Sequence, residues 1–435
     1  MDKVRNAAYK ILLEIIQDGG YSNLELNSYF NNQEVESEAV VRRLVYGVLE
    51  KQIYLDYYLD KLLAKGLAKT KASLATILRL GAYQLEFMDS IPDYAAIDTS
   101  VELAKEYTRG MDKLVNGVLR SWQREKESIP APDINDSVNY LSVSKSVHPE
   151  IAKLMIQDYG PEKAESILGQ EHNENIVRVR VNLAVSSVAR IMKELDELGI
   201  SYETSDISPR ILLISNKGVR ITELDMYKRG HISIQSEGSC WIADLVDAKA
   251  GERILDVCSA PGGKTLAMAE SAGYKAEITA CDIYEHRLNL VRENAERIGA
   301  LNINTVELDA TEIFPDIIPF ESYDKVLVDA PCSGLGVMNA KPDIRLREPN
   351  TKELARIQHS ILVNSSTRVK PGGKLIYSTC TLLIGENHEV VKKFLKGDTY
   401  FSLDKEEILL PDENKCHDGF YCAVISRKGD HTQWR

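Results

Sequence analysis

Two cysteines in the C-terminal half of the chain follow short apolar runs that have the composition of buried strands. Residues Val326 to Gly336 read VLVDAPCSGLG, which places Asp329 and Cys332 just after the first run. Residues Lys374 to Thr381 read KLIYSTCT, which places Cys380 after the second run. Ligands of open α/β sheets bind beyond the carboxyl ends of the strands. Because thiolates are strong nucleophiles, two thiols placed in this way indicate covalent catalysis.

The spacing of these two cysteines does not decide which of them attacks, and either one alone would be typical of a small buried hydrophobic residue. The chain has seven cysteines and no C-x-x-C pair, which favours free thiols in a reducing compartment over a disulfide framework. Cys416, His417 and Cys422 lie close together in the sequence. No further ligand follows at the usual zinc spacing, so we expect no metal site.

Length and composition indicate a multidomain globular protein. At 435 residues the chain is too long for one core, and 44% hydrophobic and 27% charged residues are typical of soluble proteins. No apolar run is long enough for a membrane span, and the opening MDKVRNAAYK lacks the apolar stretch of a secretory signal. We therefore expect a cytoplasmic location and no membrane partner.

The net charge of −12 lowers the expectation of a nucleic-acid partner, because phosphate contacts need lysine and arginine. Basic residues are nevertheless concentrated in the N-terminal part of the chain. They are Arg42, Arg43, Lys51, Lys61, Lys65, Lys69, Lys71 and Arg79. This set indicates either a nucleic-acid surface or ordinary solvated helix faces, and the sequence alone leaves both open.

The hydrophobic pattern changes twice along the chain and predicts three domains. Residues 1–130 show the helical period throughout, with about six helices, and a proline-broken linker follows at 128–136. Residues 140–232 mix helical segments with strands such as Ile176 to Val181, which predicts a small α+β connector of ferredoxin-like type. Residues 233–428 alternate strand and helix, which predicts a doubly wound parallel sheet.

A glycine turn and three carboxylates indicate a nucleoside cofactor in the third domain. Residues Ile254 to Thr265 read ILDVCSAPGGKT, an apolar strand that enters a Pro-Gly-Gly turn and then a helix. The segment lacks the first glycine of a P-loop and is not G-x-G-x-x-G. Asp282, Asp309 and Asp329 stand at the ends of three predicted strands, where a carboxylate can accept hydrogen bonds from a ribose.

These motifs resemble those of known families. The first domain resembles proteins of the NusB-like RNA-binding fold in four segments, VRNAAYKIL, VVRRLVYGVL, TILRLGAYQL and VNGVLR. The third domain resembles the RNA cytosine-C5 methyltransferase family, whose cofactor is S-adenosylmethionine. The segments that carry this resemblance are DVCSAPGGKT, DAPCSGLG and YSTCT, with KPDIR between the last two. Over its whole length the chain resembles the bacterial RsmB/Sun family of 16S ribosomal RNA methyltransferases. The fold class that this implies is an all-α NusB-like bundle, an α+β connector and a Rossmann-like methyltransferase domain.

The resemblance also implies roles for individual residues. It assigns attack on the cytosine to Cys380, release of the product to Cys332, and contact with both the cofactor and the base to Asp329. It places Asp282 at the ribose and Asp309 beside the adenine. The residues that it places along the methionine part of the cofactor are Cys258, Ser259, Ala260, Pro261, Gly262, Gly263 and Lys264.

The expected function is methylation of a cytosine at C5 in 16S ribosomal RNA, as free RNA or in an early small-subunit particle, by a monomer that does not bind DNA. The same chemistry on transfer RNA or another ribosomal site remains open, as does a non-catalytic RNA-binding assembly factor. Two further sets of basic residues are ambiguous. Lys341, Arg345 and Arg347 are either phosphate contacts or solvated charges, and Arg178 and Arg180 are either phosphate contacts or an ordinary exposed strand face.

Overall fold

The computed structural model describes residues 1–20, 22–170, 176–215, 218–411 and 418–429. Contacts between residues divide the chain into two units. The first comprises residues 1–169 and 338–349, and the second comprises residues 170–337 and 350–435. Within the described ranges, none of the helices is both long and apolar enough to cross a membrane.

The first unit is helical. Its helices are α1 (Lys3–Asp18), α2 (Ser22–Asn32), α3 (Glu38–Glu50), α4 (Gln52–Leu62), α5 (Ala72–Phe87), α6 (Asp93–Tyr107), α7 (Asp112–Glu125), α8 (Ser137–Ser144), α9 (Pro149–Tyr159) and α10 (Pro161–Leu168). The apolar residues at helical spacing in α1, including Ala8, Leu12 and Ile15, are buried in one hydrophobic core. Asp2 caps the start of α1 and Gly19, in the left-handed conformation, ends it.

The pattern from Glu38 to Leu63, which reads as one continuous helical stretch, forms two helices in the structure. Lys51 separates α3 from α4 with φ −101° and ψ 11°, outside the helical region. The core faces of both helices are buried, so the apolar period alone does not reveal a break at a single residue.

The second unit begins with a small α+β module. Its elements are β1 (Ile176–Val181), α11 (Val188–Glu197), β2 (Tyr202–Thr204), β3 (Ile211–Ser215), α12 (Asp225–Lys228) and β4 (Ile232–Ile234). The four strands form an antiparallel sheet in the order β2-β3-β1-β4. Val179 and Val181 of β1 pack with Ile191 and Leu195 of α11 in a separate core.

The rest of the second unit is a seven-stranded sheet with helices between the strands. Its elements are α13 (Glu237–Val246), β5 (Arg253–Asp256), α14 (Gly263–Ser271), β6 (Glu277–Asp282), α15 (Glu285–Ile298), β7 (Ile303–Glu307), β8 (Tyr323–Asp329), α16 (Thr351–Ser366), β9 (Val369–Thr379), α17 (His388–Gly397), β10 (Phe401–Leu409) and β11 (Phe420–Arg427). The strand order is β10-β11-β9-β8-β5-β6-β7. Strands β5 to β9 pair in parallel, and β10 and β11 pair antiparallel. The carboxyl ends of β5, β6, β7, β8 and β9 therefore share one edge.

The basic residues in and just after the KPDIR segment belong to the first unit, where Lys341 is exposed and the two arginines have structural partners. The Arg345 side chain is buried and donates to the carbonyl of Lys145 at 3.0 Å and to Oδ1 of Asn339 at 2.5 Å. Arg347 donates to the carbonyls of Gly19 and Gly20, both at 3.0 Å. Both alternatives offered by the sequence are therefore wrong for the buried Arg345, whereas Arg347 is exposed, as a solvated charge would be.

Candidate active site

The loop between β5 and α14 brings the backbone close to a neighbouring helix. Gly262 has φ +104°, and a Cβ atom there would lie 3.3 Å from Cα of Val291 in α15. A side chain at this position would therefore be strained and would meet backbone as well. The helix that follows starts at Gly263, so its first amide groups face the edge where the strands end.

A cleft of about 270 Å³ lies at this edge. Its lining includes five of the residues that the sequence singled out: Cys258, Ala260, Asp282, Asp309 and Asp329. Apolar side chains complete the wall, among them Ile283, Leu308, Ile357 and Ile361. The other predicted residues of this loop and helix start do not line the cleft. They are Ser259, Pro261, Gly262, Gly263 and Lys264.

Asp282 is held in place by the loop that it faces. It is the last residue of β6, and its side chain is almost fully buried. Its Oδ2 accepts the backbone N–H of Ala260 at 3.3 Å, and its Oδ1 accepts from Arg287 at 3.1 Å. Arg287 also donates to the carbonyl of Ala260 at 2.9 Å, which links loop, strand end and helix. The carboxylates and the apolar wall have the chemistry that a nucleoside needs, with acceptors for ribose hydroxyls and a surface for the base.

The two thiols singled out by the sequence meet beside this cleft. Sγ of Cys332 lies 3.3 Å from Sγ of Cys380, although 48 positions separate them in the chain. Both side chains are partly accessible. The hydrogen bond with Cys380 and then burial raise the pKa of the Cys332 thiol well above its ordinary value. Cys332 therefore keeps its proton at neutral pH.

Several contacts hold the two thiol loops together. The N–H of Gly336 donates to the carbonyl of Cys380 at 2.9 Å, and a Cβ atom at Gly336 would collide with the backbone of Gly419. The hydroxyls of Ser333 and Thr381 are 2.7 Å apart. The buried Glu386 accepts the N–H of Ser333 at 2.9 Å. The distance between the two sulfur atoms is thus set by backbone contacts and not by the thiols alone.

Asp329 sits at the centre of the site and is bound on both oxygens. Lys264 Nζ donates to Oδ2 at 2.6 Å, and the hydroxyl of Ser378, the residue paired with Asp329 across the two parallel strands, donates to Oδ1 at 2.8 Å. Burial alone would lower the pKa of Lys264, but the charge of Asp329 and its hydrogen bond raise that pKa above its ordinary value. The site therefore contains a fixed ammonium–carboxylate pair. The sequence indicated Lys264 only as part of the loop and did not indicate Ser378.

The sequence offered two interpretations of Arg180, a phosphate contact and a place on an exposed strand face, and both are wrong. Arg180 is fully buried, and its guanidinium forms two hydrogen bonds with Glu270 of α14, at 2.8 and 2.7 Å. It also donates to the carbonyl of Gly263 at 3.0 Å. Arg178, on the same strand, donates to Glu237 at 3.0 Å. Strand β1 of the small sheet therefore contacts α14 and holds it in place at the glycine turn.

Asp256 is a buried carboxylate of this site that opens the DVCSAPGGKT motif but received no role from the sequence. It is the last residue of β5, and its Oδ2 accepts from the hydroxyl of Thr265 at 2.6 Å. Its Oδ1 has no hydrogen-bond partner among the described residues. Burial, opposed by the Thr265 hydrogen bond, raises the pKa of Asp256 to about 7. The signal in the sequence was its place in ILDV, at the carboxyl end of a buried strand.

We expect Asp256→Asn to stabilise the cofactor-free protein increasingly as the pH rises. The folded-state pKa of about 7 lies above the ordinary 3.8, so the folded protein retains a proton that the unfolded chain loses, and stability falls between these values. Urea unfolding at pH 5 and pH 8 measures this. The advantage of the asparagine variant should grow by about 2 to 3 kcal/mol over that interval. An advantage of equal size at both pH values would contradict this assignment.

The possible metal cluster can be followed only in part. Cys416 and His417 lie outside the described residues, and Cys422 is buried within β11. Across the portions of the chain with described positions, no group of three or more histidine, cysteine or acidic side chains is arranged to hold a metal ion.

Comparisons with known families and relatives agree with this architecture. Residues 243–428 match the family model described as 16S rRNA methyltransferase RsmB/F, and residues 2–124 match the NusB family. The probable ribosomal RNA small subunit methyltransferase B of Bacillus subtilis is 37% identical, with 98% of this chain and 99% of that protein covered. The corresponding Synechocystis protein is 32% identical, with 91% of this chain and 90% of that protein covered.

Solved structures show the same fold. The crystal structure of PH0851 superposes with a TM-score of 0.80 at 24% identity, covering 97% of this chain and 98% of that one. A methyltransferase homolog from Pyrococcus horikoshii gives a TM-score of 0.57 at 27% identity, covering 67% of this chain and 99% of that one. The predicted combination of a NusB-like helical domain with a Rossmann-like methyltransferase domain is confirmed. The chain belongs to the ribosomal RNA small subunit methyltransferase B family.

Proposed function

We propose that this methyltransferase transfers the methyl group of S-adenosylmethionine to C5 of a cytosine in 16S ribosomal RNA through a covalent cysteine intermediate. The observation that carries the proposal is the pair of thiols, 3.3 Å apart, beside the cleft that Asp329 lines. A methyl transfer to oxygen or nitrogen needs no thiol, whereas transfer to C5 of cytosine does. Membership in the small-subunit methyltransferase family supplies the class of RNA.

The need for a thiol follows from the electronic structure of cytosine. C5 is a weak nucleophile until a thiolate adds to C6, which converts the C5–C6 double bond into an enamine-like system. S-adenosylmethionine held in the cleft would supply its sulfonium methyl group to the activated C5 and would leave as S-adenosylhomocysteine. Water acting as a base then takes the C5 proton, the electron pair of the C5–H bond restores the C5–C6 double bond, and the C6–S bond breaks to release the thiolate. A duplex or stacked base must first be turned out to reach such a site.

Cys380 is the attacking thiol in this proposal. The charges of Lys264 and Cys380 act on each other, and the ammonium of Lys264 therefore stabilises a thiolate at Cys380. Lys264 is itself fixed by Asp329, at 2.6 Å. Asp329 would face N3 of the base, where a hydrogen bond offsets the charge that develops when the thiolate adds. Such a bond requires a proton shared between Asp329 and N3.

Cys332 assists release of the product. Its raised pKa keeps it as a thiol, so it can donate its S–H to the sulfur of Cys380 as the C6–S bond breaks. A protonated thiol is a poor base for the C5 proton, which favours assistance to the leaving thiolate over proton abstraction. The proposal thus assigns the two cysteines different roles, with Cys380 as the thiolate and Cys332 as the thiol.

The residues around the cleft suit S-adenosylmethionine, which when bound supplies the electrophilic methyl group. Asp282 would accept the ribose hydroxyls, and Asp309 would lie beside the adenine, against Ile283 and Leu308. The loop from Cys258 to Lys264 would hold the methionine part. Burial raises the pKa of the Cys258 thiol well above its ordinary value, which makes it a wall residue and not a third nucleophile.

Each of the three predicted domains has its own role in this function. Residues 1–130 would bind RNA, residues 140–232 would connect, and residues 233–428 would bind the cofactor and carry out the transfer. Helices α8 to α10 lie partly in the connector range but belong by their contacts to the first unit. A non-catalytic assembly factor would not require the hydrogen-bonded arrangement of Lys264, Asp329 and the two thiols, and this arrangement favours an enzyme.

Transfer of tritium from methyl-labelled S-adenosylmethionine tests this function. We expect label in unmethylated small-subunit ribosomal RNA, and much less in transfer RNA or large-subunit RNA offered at the same concentration. Incorporation into transfer RNA instead would establish the alternative substrate. No incorporation into any of the RNAs, either free or in small-subunit particles, would contradict a catalytic role.

A further inference from the structure

We propose that a basic pocket in the first unit binds a single-stranded segment of the substrate RNA. The pocket measures about 700 Å³ and lies between the α4–α5 connection and the α6–α7 connection. Its lining contains four basic side chains and no carboxylate: Lys65, Lys69, Lys71 and Arg109. The inference rests on RNA being the substrate and adds a second place, within the helical unit, where RNA is held.

The positive charge of this pocket is available to a ligand. All four basic side chains are exposed, and none forms an ion pair with a described residue. Other basic residues of the same unit differ. Arg79 forms two hydrogen bonds with Asp56, at 2.6 and 2.7 Å, and Lys126 is paired with Glu86. In a chain of net charge −12, four cations without an ion pair thus share one concave place.

The pocket also offers an apolar surface. Leu63 and Leu74 are buried at its base, and Met111 and Leu114 are 43% and 42% exposed. Tyr107 forms part of the wall and is fixed, because its ring stacks on Tyr9 and its hydroxyl donates to Asn6 at 2.7 Å. A fixed surface of this kind can receive the face of an unstacked base.

The connection that carries the lysines has a defined shape. Asp60 accepts the N–H of Leu67 at 2.7 Å, and the N–H of Thr70 donates to the carbonyl of Leu67 at 2.9 Å. Helix α5 then begins at Ala72 with no acidic residue in its first turn. The positive end of its dipole therefore adds to the charge of the lysines. An ordered basic rim reduces the entropy that binding costs.

These features together select a nucleotide chain as the ligand. Phosphates meet the basic rim, and a base meets the apolar interior, which is the arrangement that single-stranded RNA requires. A pocket of this volume admits one or two nucleotides but not a duplex. An acidic protein segment would use the cations and leave the apolar interior without a matching group, so RNA is the better match.

The test compares two triple variants with the same change in net charge. Lys65→Gln/Lys69→Gln/Lys71→Gln removes the basic rim. Lys10→Gln/Lys153→Gln/Lys163→Gln removes three exposed lysines elsewhere in the same unit. The affinity of each full-length protein for a labelled, unmethylated small-subunit RNA transcript is measured over a range of salt concentrations. Far-ultraviolet circular dichroism and the thermal unfolding curve of both variants, matched to those of the unaltered protein, verify that the helical unit is folded.

We expect the rim variant to bind the transcript about tenfold more weakly than the control, since each phosphate that a lysine neutralises adds a counterion-release contribution to binding. The slope of log affinity against log salt should become shallower by about 0.7 for each phosphate that the variant no longer neutralises. Equal affinities and slopes for the two variants would overturn the proposal. Binding of polyglutamate, an acidic polymer without bases, is measured in parallel. Weaker polyglutamate binding by the rim variant, together with an unchanged affinity for the transcript, would also overturn the proposal. Because binding is measured without methyl transfer, failure of the proposed activity would not be mistaken for failure of this inference.

Discussion

We expect replacement of Cys380 with alanine to abolish methyl transfer and to prevent formation of any covalent complex with RNA. Without this thiol no nucleophile adds to C6, so C5 is not activated. The expected decrease in activity is about a thousandfold or more, as for other residues that form the covalent intermediate. Transfer of label from the methyl-tritiated cofactor measures the activity, and a denaturing gel of protein mixed with RNA measures the covalent complex.

Cys422→Ala is the matched control for this experiment. Cys422 is buried in β11 and is paired in register with Ser378, two residues from Cys380, so the variant removes a nearby thiol and keeps the nucleophile. It should retain most of the activity and produce the same covalent complex as the unaltered protein. If Cys380→Ala still yields a complex that survives denaturation, the assignment of the nucleophile is wrong.

We expect replacement of Cys332 with alanine to make the covalent complex accumulate. Attack by Cys380 does not need the second thiol, so the adduct still forms. Its breakdown slows because the leaving sulfur no longer receives the hydrogen bond that spans 3.3 Å in the unaltered protein. The denaturing gel should show a strong protein–RNA band that depends on the cofactor, while multiple turnover nearly stops.

Two further variants sharpen this second result. Cys332→Ser keeps a donor at the same position, so it should release more product and accumulate less complex than Cys332→Ala. The double variant Cys332→Ala/Cys380→Ala should form no complex, since the band requires the nucleophile. Accumulation in Cys380→Ala together with its absence in Cys332→Ala would reverse the two roles.

The meeting of the two thiols could be predicted from the sequence because it depends on strand ends. Cys332 and Cys380 each follow an apolar run by a few residues, and parallel neighbouring strands end at one edge of a sheet. The same rule brought Asp282, Asp309 and Asp329 to one cleft. Patterns of period two and of strand–helix alternation are local, and they determine such placements without knowledge of side-chain contacts.

The partners of charged residues could not be predicted in this way. Arg180 lies on an alternating strand that reads as exposed, yet it is buried against Glu270, which is 90 positions away. Arg345 follows the thiol loop in sequence but belongs to the helical unit. The pair of Lys264 and Asp329 joins residues 65 positions apart. Each of these contacts is set by tertiary packing, which leaves no periodic signal in the chain.

Short elements were missed for a related reason. Helix α8 has eight residues, and β2 has three, so neither is long enough to establish a period. Their positions depend on the elements they contact, α9 in one case and β3 in the other. Strand β1 was located closely from its alternation of apolar and basic residues, although Val179, Arg180 and Val181 are all buried.

The most direct test of C5 methylation follows the hydrogen that the methyl group replaces. Small-subunit RNA labelled with tritium at C5 of its cytosines is incubated with the protein and unlabelled S-adenosylmethionine, and tritium released into water is counted. We predict that one C5 hydrogen is released for each methyl group transferred, that release requires the cofactor, and that Cys380→Ala releases none. Methyl transfer with full retention of tritium would place the methyl group on another atom and contradict the covalent mechanism.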